Sequence, residues 1–149
     1  MMRPLWPLAL AAVFLAAAAP TKPIVVTGGW TRPVAAGLNG AGYLSVVNRG
    51  PRPDRLMGAS SPAAATVSIH RSLQVGGVMT MRAVPFLDIG GGAKVIFAPG
   101  GLHLMLEGLR RPLRVGQDVP VTLTFARAGQ VRATLHVRAI APAMSGMGM

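Results

Sequence analysis

The side chains in this sequence best suited to hold a reactive species are histidine and methionine. The chain of 149 residues has 3 His and 9 Met, no Cys, and only 4 Asp plus Glu. Absence of thiols excludes disulfides, zinc–thiolate sites, iron–sulfur clusters and cysteine nucleophiles. So few acids nearly exclude paired-carboxylate catalysis and an oxygen-rich calcium cage. Thioether sulfur is soft and uncharged, and imidazole is borderline. A site built from the two favours Cu(I) over Zn(II), Mg(II) or Ca(II). Neutral ligands also suit a monovalent ion, because no buried anion is needed to offset a large charge. Each residue alone has an ordinary alternative, since a single Met commonly fills a core gap and a single His commonly sits hydrogen-bonded at the surface. Their placement in common must decide.

Placement follows from the strands that carry them. Turn chemistry punctuates the chain at Thr27-Gly28-Gly29, Asn39-Gly40, Asn48-Arg49-Gly50-Pro51, Gly76-Gly77, Gly90-Gly91-Gly92 and Pro99-Gly100-Gly101. Between these lie runs of strand composition at 41–47, 66–72, 78–84, 93–98, 102–107, 119–126 and 131–140. Short strands separated by turns predict an all-β sandwich or barrel, here a single domain over 20–140. In 102–107, alternation puts Leu102, Leu104 and Leu106 on a core face and His103, Met105 and Glu107 on the other. His103 and Met105 are then neighbours, about 7 Å apart along the strand. In 66–72, Val67 and Ile69 oppose His70, which shares its face with Thr66, Ser68 and Ser72. Met79 and Met81 share a face opposite Val78. Two His and two or three Met therefore fall on faces outside the main core.

The spacing adds specificity. His70, ten residues, Met81, twenty-one residues, then His103-Leu104-Met105 resembles the H-x10-M-x21-H-x-M signature of the periplasmic copper chaperones called PCuAC. The blocks Gly29-Trp30-Thr31-Arg32, Ala41-Gly42-Tyr43-Leu44, Gly77-Val78-Met79-Thr80-Met81-Arg82 and Pro99 to Leu106 are similar to that family's. So is 54–62, and the resemblance runs from about residue 25 to 138. It implies a cupredoxin-like β-sandwich with Cu(I) held by His70, Met81, His103 and Met105. It also implies delivery of copper to the binuclear centre in the copper-bearing subunit of cytochrome c oxidase, alongside a Sco-type thiol protein. Arg71 departs from the acidic or polar residue common after the first histidine, but alternation points it away from the site. Glu107 shares a face with Met105 and is placed to support the ligands.

The ends and the charge complete the reading. Met1-Met2-Arg3-Pro4, an apolar stretch to Leu15 and a run of Ala16 to Ala19 have the layout of a secretory signal peptide over 1–19. No later stretch is long and apolar enough to span a bilayer, so the expectation is a periplasmic, monomeric protein after cleavage. Residues 141–149 form an expected Met-rich tail with Met144, Met147 and Met149, a candidate weak Cu(I) hook. The formal net charge of +11 favours anionic surroundings. The alternative function is accordingly an exported basic module that binds anionic partners and has no copper role. With 5% aromatic residues, nucleic-acid binding through stacked bases is not expected. A nucleophile elbow and a Walker loop are both lacking, so the chain reads as a binding protein and not an enzyme. Blue-copper electron transfer needs a thiolate that is missing.

Overall fold

The computed structural model describes residues 22–139. The expected signal segment over 1–19 and the expected tail over 141–149 lie outside the described residues. Ten strands follow in order: β1 (Ile24–Thr31), β2 (Gly40–Asn48), β3 (Asp54–Ser60), β4 (Ala64–Val75), β5 (Val78–Ala83), β6 (Leu87–Ile89), β7 (Lys94–Ile96), β8 (Leu102–Leu109), β9 (Asp118–Phe125) and β10 (Gly129–Val137). There is no helix among the described residues. The strands pair in the order β5-β4-β8-β2-β1-β10-β9-β3-β6, and β7 lies beside part of β2. Ala59 of β3 also pairs with Val67 of β4, which closes the sheet on itself. The expected all-β, single-domain fold is thus a closed barrel-like sandwich. Closure leaves few free edges, the usual hazard of a β protein.

Alternation fills the interior. Leu44 and Val46 of β2, Val67 and Ile69 of β4, Leu104 and Leu106 of β8, Val121 and Leu123 of β9, and Leu135 of β10 are all buried in one core. Each is separated from the next inward residue by one position, as strand geometry requires. Burial of side chains of this size stabilises by roughly 1.5–3 kcal/mol each. Gly42 makes room for this packing, since a Cβ there would stand 2.7 Å from Leu135 Cδ1.

Strands β1, β3 and β6 were not expected from the sequence. Thr27-Gly28-Gly29 reads as a turn, yet it lies inside β1. There the pairing with β2 shifts register between Thr27 and Trp30, and Gly28 has φ of 67°. The glycines form a bulge that re-aims the strand. Beyond it, Trp30 and Thr31 pair in parallel with His136 and Val137 of β10. The last expected strand also ends earlier, at Val137 instead of residue 140.

The Gly76-Gly77 turn is as expected. It joins β4 and β5, with φ of 58° and 79° at its two residues. Two consecutive positive φ angles are what a tight two-residue hairpin demands, and glycine adopts them without strain. This hairpin projects past the core, and every residue of β5 is exposed. Val78 is therefore no more buried than Met79 or Met81, so alternation in β5 does not divide core from solvent.

Candidate metal centre

Strand β8 delivers the first site residue. Leu104 and Leu106 enter the core, so His103 and Met105 take the opposite face as alternation requires. His103 is nevertheless only 3% exposed, which the sequence did not anticipate. Its Nδ1 lies 3.1 Å from the carbonyl oxygen of Gly101. A carbonyl can only accept, so Nδ1 carries the proton and Nε2 carries a lone pair. That Nε2 is buried with no hydrogen-bond partner. An orphaned buried nitrogen costs about 1–3 kcal/mol, a cost that a bound metal ion would remove.

The β4–β8 register delivers the second. His70 stands directly opposite His103, Ser68 opposite Met105, and Thr66 opposite Glu107. The two imidazoles stack with centroids 6.0 Å apart and planes 18° apart. Ser68 Oγ is 3.2 Å from His70 Nδ1 and 3.2 Å from Glu107 Oε2. The single hydroxyl proton goes to the carboxylate, so Ser68 accepts from His70 Nδ1–H. In the neutral imidazole both hydrogen bonds direct the lone pair to Nε2, the arrangement that metal-binding imidazoles use. Glu107 is linked to His70 through Ser68, and not to its strand neighbour Met105.

The thioethers come from two strands. Met81 of β5 pairs with Ser72, two residues beyond His70 on β4. Met81, Ser72, His103 and Met105 line one cavity of about 370 Å³. Arg32 and Tyr43 form part of the same wall. The register thus places His70 opposite His103, while Met81 and Met105 share with His103 a cavity that His70 does not line. Met79 pairs with Gln74 nearer the hairpin tip and does not line this cavity. Arg71 is exposed and pairs with Arg82, pointing away from His70 as expected. Ser68, Arg32 and Tyr43 were not singled out from sequence for a role at the site. Ser68 left a signal in its shared parity with His70, and Arg32 and Tyr43 stand in two of the blocks that carry the family resemblance.

The three aspartates are engaged elsewhere. Buried Asp54 accepts backbone N–H groups from Arg55, Arg127 and Ala128 at 2.7–2.9 Å. Asp88 binds Arg55 at 2.6 Å, and that hydrogen bond holds its carboxyl below the ordinary range. Asp118 binds His136, far along the chain from the other histidines. Among the described residues, no three His, Cys, Asp or Glu side chains are grouped to hold a metal. The soft donors that share the cavity with His103 are the thioethers of Met81 and Met105, a lining that suits a soft ion of low charge. A roomier cavity of about 560 Å³ beside Pro62, Arg111 and Pro120 has neither His nor Met in its lining and offers no such chemistry.

Comparison with known proteins agrees with this geometry. A family model described as "Putative lipoprotein LpqE-like" matches residues 24–137, from the start of β1 to the end of β10. Lxx21020 of Leifsonia xyli subsp. xyli is 35% identical over 104 residues, covering 69% of this chain and 62% of that protein. RP573 of Rickettsia prowazekii is 33% identical over 89 residues, covering 58% of this chain and 49% of that protein. The matched segments are thus 62% and 49% of the lengths of these curated relatives. Among solved structures, the copper-bound PCuAC domain from PmoF2 superposes with a TM-score of 0.67 at 28% identity, covering 82% of this chain and 97% of that domain. The solution structure of Cu(I)-bound DR1885 from Deinococcus radiodurans gives 0.61 at 29% identity, covering 83% of this chain and 81% of that one. With its whole described barrel inside the family match and PCuAC domains as its structural neighbours, the chain belongs to the LpqE-like family, the PCuAC group that its His and Met spacing resembles.

Proposed function

We propose that this protein is a periplasmic copper carrier, not an enzyme. It holds one Cu(I) ion between His70, Met81, His103 and Met105. It delivers the ion to the copper-bearing subunit of cytochrome c oxidase, alongside a Sco-type thiol protein. The observation that carries the reading is the buried, unpartnered Nε2 of His103 in a cavity lined by two thioethers. The copper-bound PmoF2 domain and Cu(I)-bound DR1885 among the structural neighbours support copper as the cargo. The lipoprotein names of the family and of Lxx21020 support export.

The residues divide the work. His103 and His70 anchor the ion, because their tautomers are fixed by Gly101 and Ser68 before it arrives. Met81 is 59% exposed on the projecting β5, so it is the ligand an acceptor displaces most easily. Neutral ligands keep the ion weakly enough held to be passed on.

A Cu(I) competition titration against a chromophoric chelator tests this on the mature chain. The expected result is one ion per chain. Met105→Leu, close in volume, should weaken Cu(I) by about tenfold and shift stability by less than about 1.5 kcal/mol. Failure to bind, or binding indifferent to Met105, sinks the proposal. Ser68→Ala should also weaken Cu(I) by about tenfold, the lower end of what losing a ligand's own partner costs. Its signature in imidazole NMR is a mixed His70 tautomer, and a single unchanged tautomer would remove Ser68 from the site.

A further inference from the structure

Arg32 follows the last residue of β1 and lines the same cavity as Met81, His103 and Met105. Its guanidinium carbon lies 5.8 Å from the Trp30 ring centroid and 6.0 Å from that of Tyr43. Those rings pack together with centroids 4.6 Å apart. Trp30 already has a closer cation, since Arg138 sits 4.2 Å from its centroid. Arg32 is therefore not needed to cover Trp30. Its Nε is buried and has no hydrogen-bond partner. The cavity lining contains no Asp or Glu. The carboxylate on the same face, Glu107, is bound to Ser68.

These facts leave a charge imbalance. With Cu(I) bound by neutral ligands, the cavity would carry a metal cation and a guanidinium with no anion in its wall. Like charges in a partly desolvated pocket repel more strongly than in water. The imbalance is relieved by an anion from outside. Soft Cu(I) selects thiolate over carboxylate or phosphate, and a neighbouring Arg stabilises a thiolate against its thiol.

We infer that Arg32 makes this cavity a receptor for an incoming thiolate, which takes copper over from Met81. The inference rests on the Cu(I) reading above. The step is a ligand exchange. The thiol gives its proton to solvent, its sulfur forms a bond to Cu(I), and the bond between Cu(I) and the Met81 thioether breaks. Copper remains Cu(I), and no electron is transferred. Arg32 acts by attracting and orienting the anion, with no bond to the metal. The thiolate can belong to a partner protein's cysteine or to a small free thiol.

The test compares wild type, Arg32→Gln and Arg32→Lys. Each is first titrated with Cu(I). If wild type takes up no Cu(I), the metal reading itself fails at that stage. Loaded proteins are then mixed with N-acetylcysteine amide, with a neutral cysteine-containing peptide, and with an uncharged thioether as control. Ultraviolet absorption of the thiolate–Cu(I) bond and the Met81 methyl resonance follow the exchange. Arg32→Gln should take up thiol about tenfold more slowly than wild type, the effect of one partly screened charge. Arg32→Lys should stay within about threefold of wild type, and the thioether control should not distinguish the three proteins. A difference seen with both thiols assigns the site to free thiols as well, and one seen with the peptide alone assigns it to a protein cysteine. Equal thiol uptake by all three equally loaded proteins overturns the proposal. If Arg32→Gln does not fold, wild type decides. Its preference for thiol over thioether should shrink as salt is raised, and a preference indifferent to salt overturns the proposal.

Discussion

His103→Leu is expected to abolish Cu(I) binding and to leave the metal-free protein at least as stable as wild type. The two effects have one cause. His103 is buried, yet its Nε2 has no partner. Leucine removes that orphaned nitrogen and so recovers part of about 1–3 kcal/mol. It also removes the bond from Nδ1 to Gly101, but the Gly101 carbonyl keeps the backbone N–H of Ser72 at 3.1 Å. The net change in urea or thermal unfolding without metal should lie between about 0 and 2 kcal/mol in favour of the variant. Cu(I) affinity should fall by more than about a hundredfold, beyond the range seen when only a ligand's partner is lost. Adding Cu(I) at about a thousand times the wild-type Kd stabilises wild type by about 4 kcal/mol through mass action, and the variant should gain less than about 1.4 kcal/mol. His103→Ala would lose copper equally but would also open a cavity, so it confounds the two readouts. The opposite result, a variant destabilised by about 2 kcal/mol that still binds copper, would make His103 an ordinary core histidine.

The face on which the site lies was legible because alternation is local. Leu104 and Leu106 define the core side of β8, so His103 and Met105 fall opposite them whatever the rest of the chain does. The same holds for Val67 and Ile69 against Ser68 and His70 on β4. Cross-strand register is not local. That His70 stands opposite His103 depends on how β4 and β8 align, and only the folded barrel fixes it. Burial of His103 was equally hidden, since alternation gives a direction and not what covers a residue. Arg32 reaches the cavity from just beyond β1 and Tyr43 from β2, and nothing in the spacing of His and Met points to either. Met79 shows the converse limit: it has the parity of Met81 but sits too far along the hairpin to line the cavity.

The fold was legible where apolar runs are clean and flanked by turns. Strands β2, β4, β5, β7, β8, β9 and β10 overlap the expected runs, and their ends shift by a few residues. Strand β3 opens on Asp54 and Arg55 behind Pro53, and β6 has 3 residues, so neither presents an apolar run. Strand β1 was missed for a different reason. Its paired glycines carry the local signature of a turn, and here that signature marks a bulge. Whether a Gly-Gly pair reverses the chain or only bends it is settled by the strand lying against it. For β1 those strands are β2, against which the bulge forms, and β10, the last in the sequence.

Gly29→Ala should accordingly be among the most damaging small substitutions in the barrel, whereas Gly28→Ala next to it should be mild. A Cβ on Gly29 would stand 2.1 Å from the Thr134 carbonyl oxygen and 3.3 Å from Leu135 Cδ2. Strand β10 cannot retreat easily, because Trp30 and Thr31 pair with His136 and Val137, and Leu135 is fully buried. Overpacking against backbone in this way costs about 3 kcal/mol or more. That is a large share of the roughly 5–15 kcal/mol that holds a domain together. At Gly28 nothing lies within 4 Å, and only its φ of 67° opposes a side chain, at about 1–2 kcal/mol. Urea unfolding of the two variants separates the causes, since conformational strain alone would make them similar. A Gly29→Ala protein as stable as wild type would mean that β1 does not press on β10. The consequence reaches the metal site as well. Trp30 and Arg32 follow the bulge closely, and Trp30 packs on Tyr43 of the cavity wall, so a Gly29→Ala chain that folds by displacing β1 should also disturb that wall, read as a changed Trp30 fluorescence.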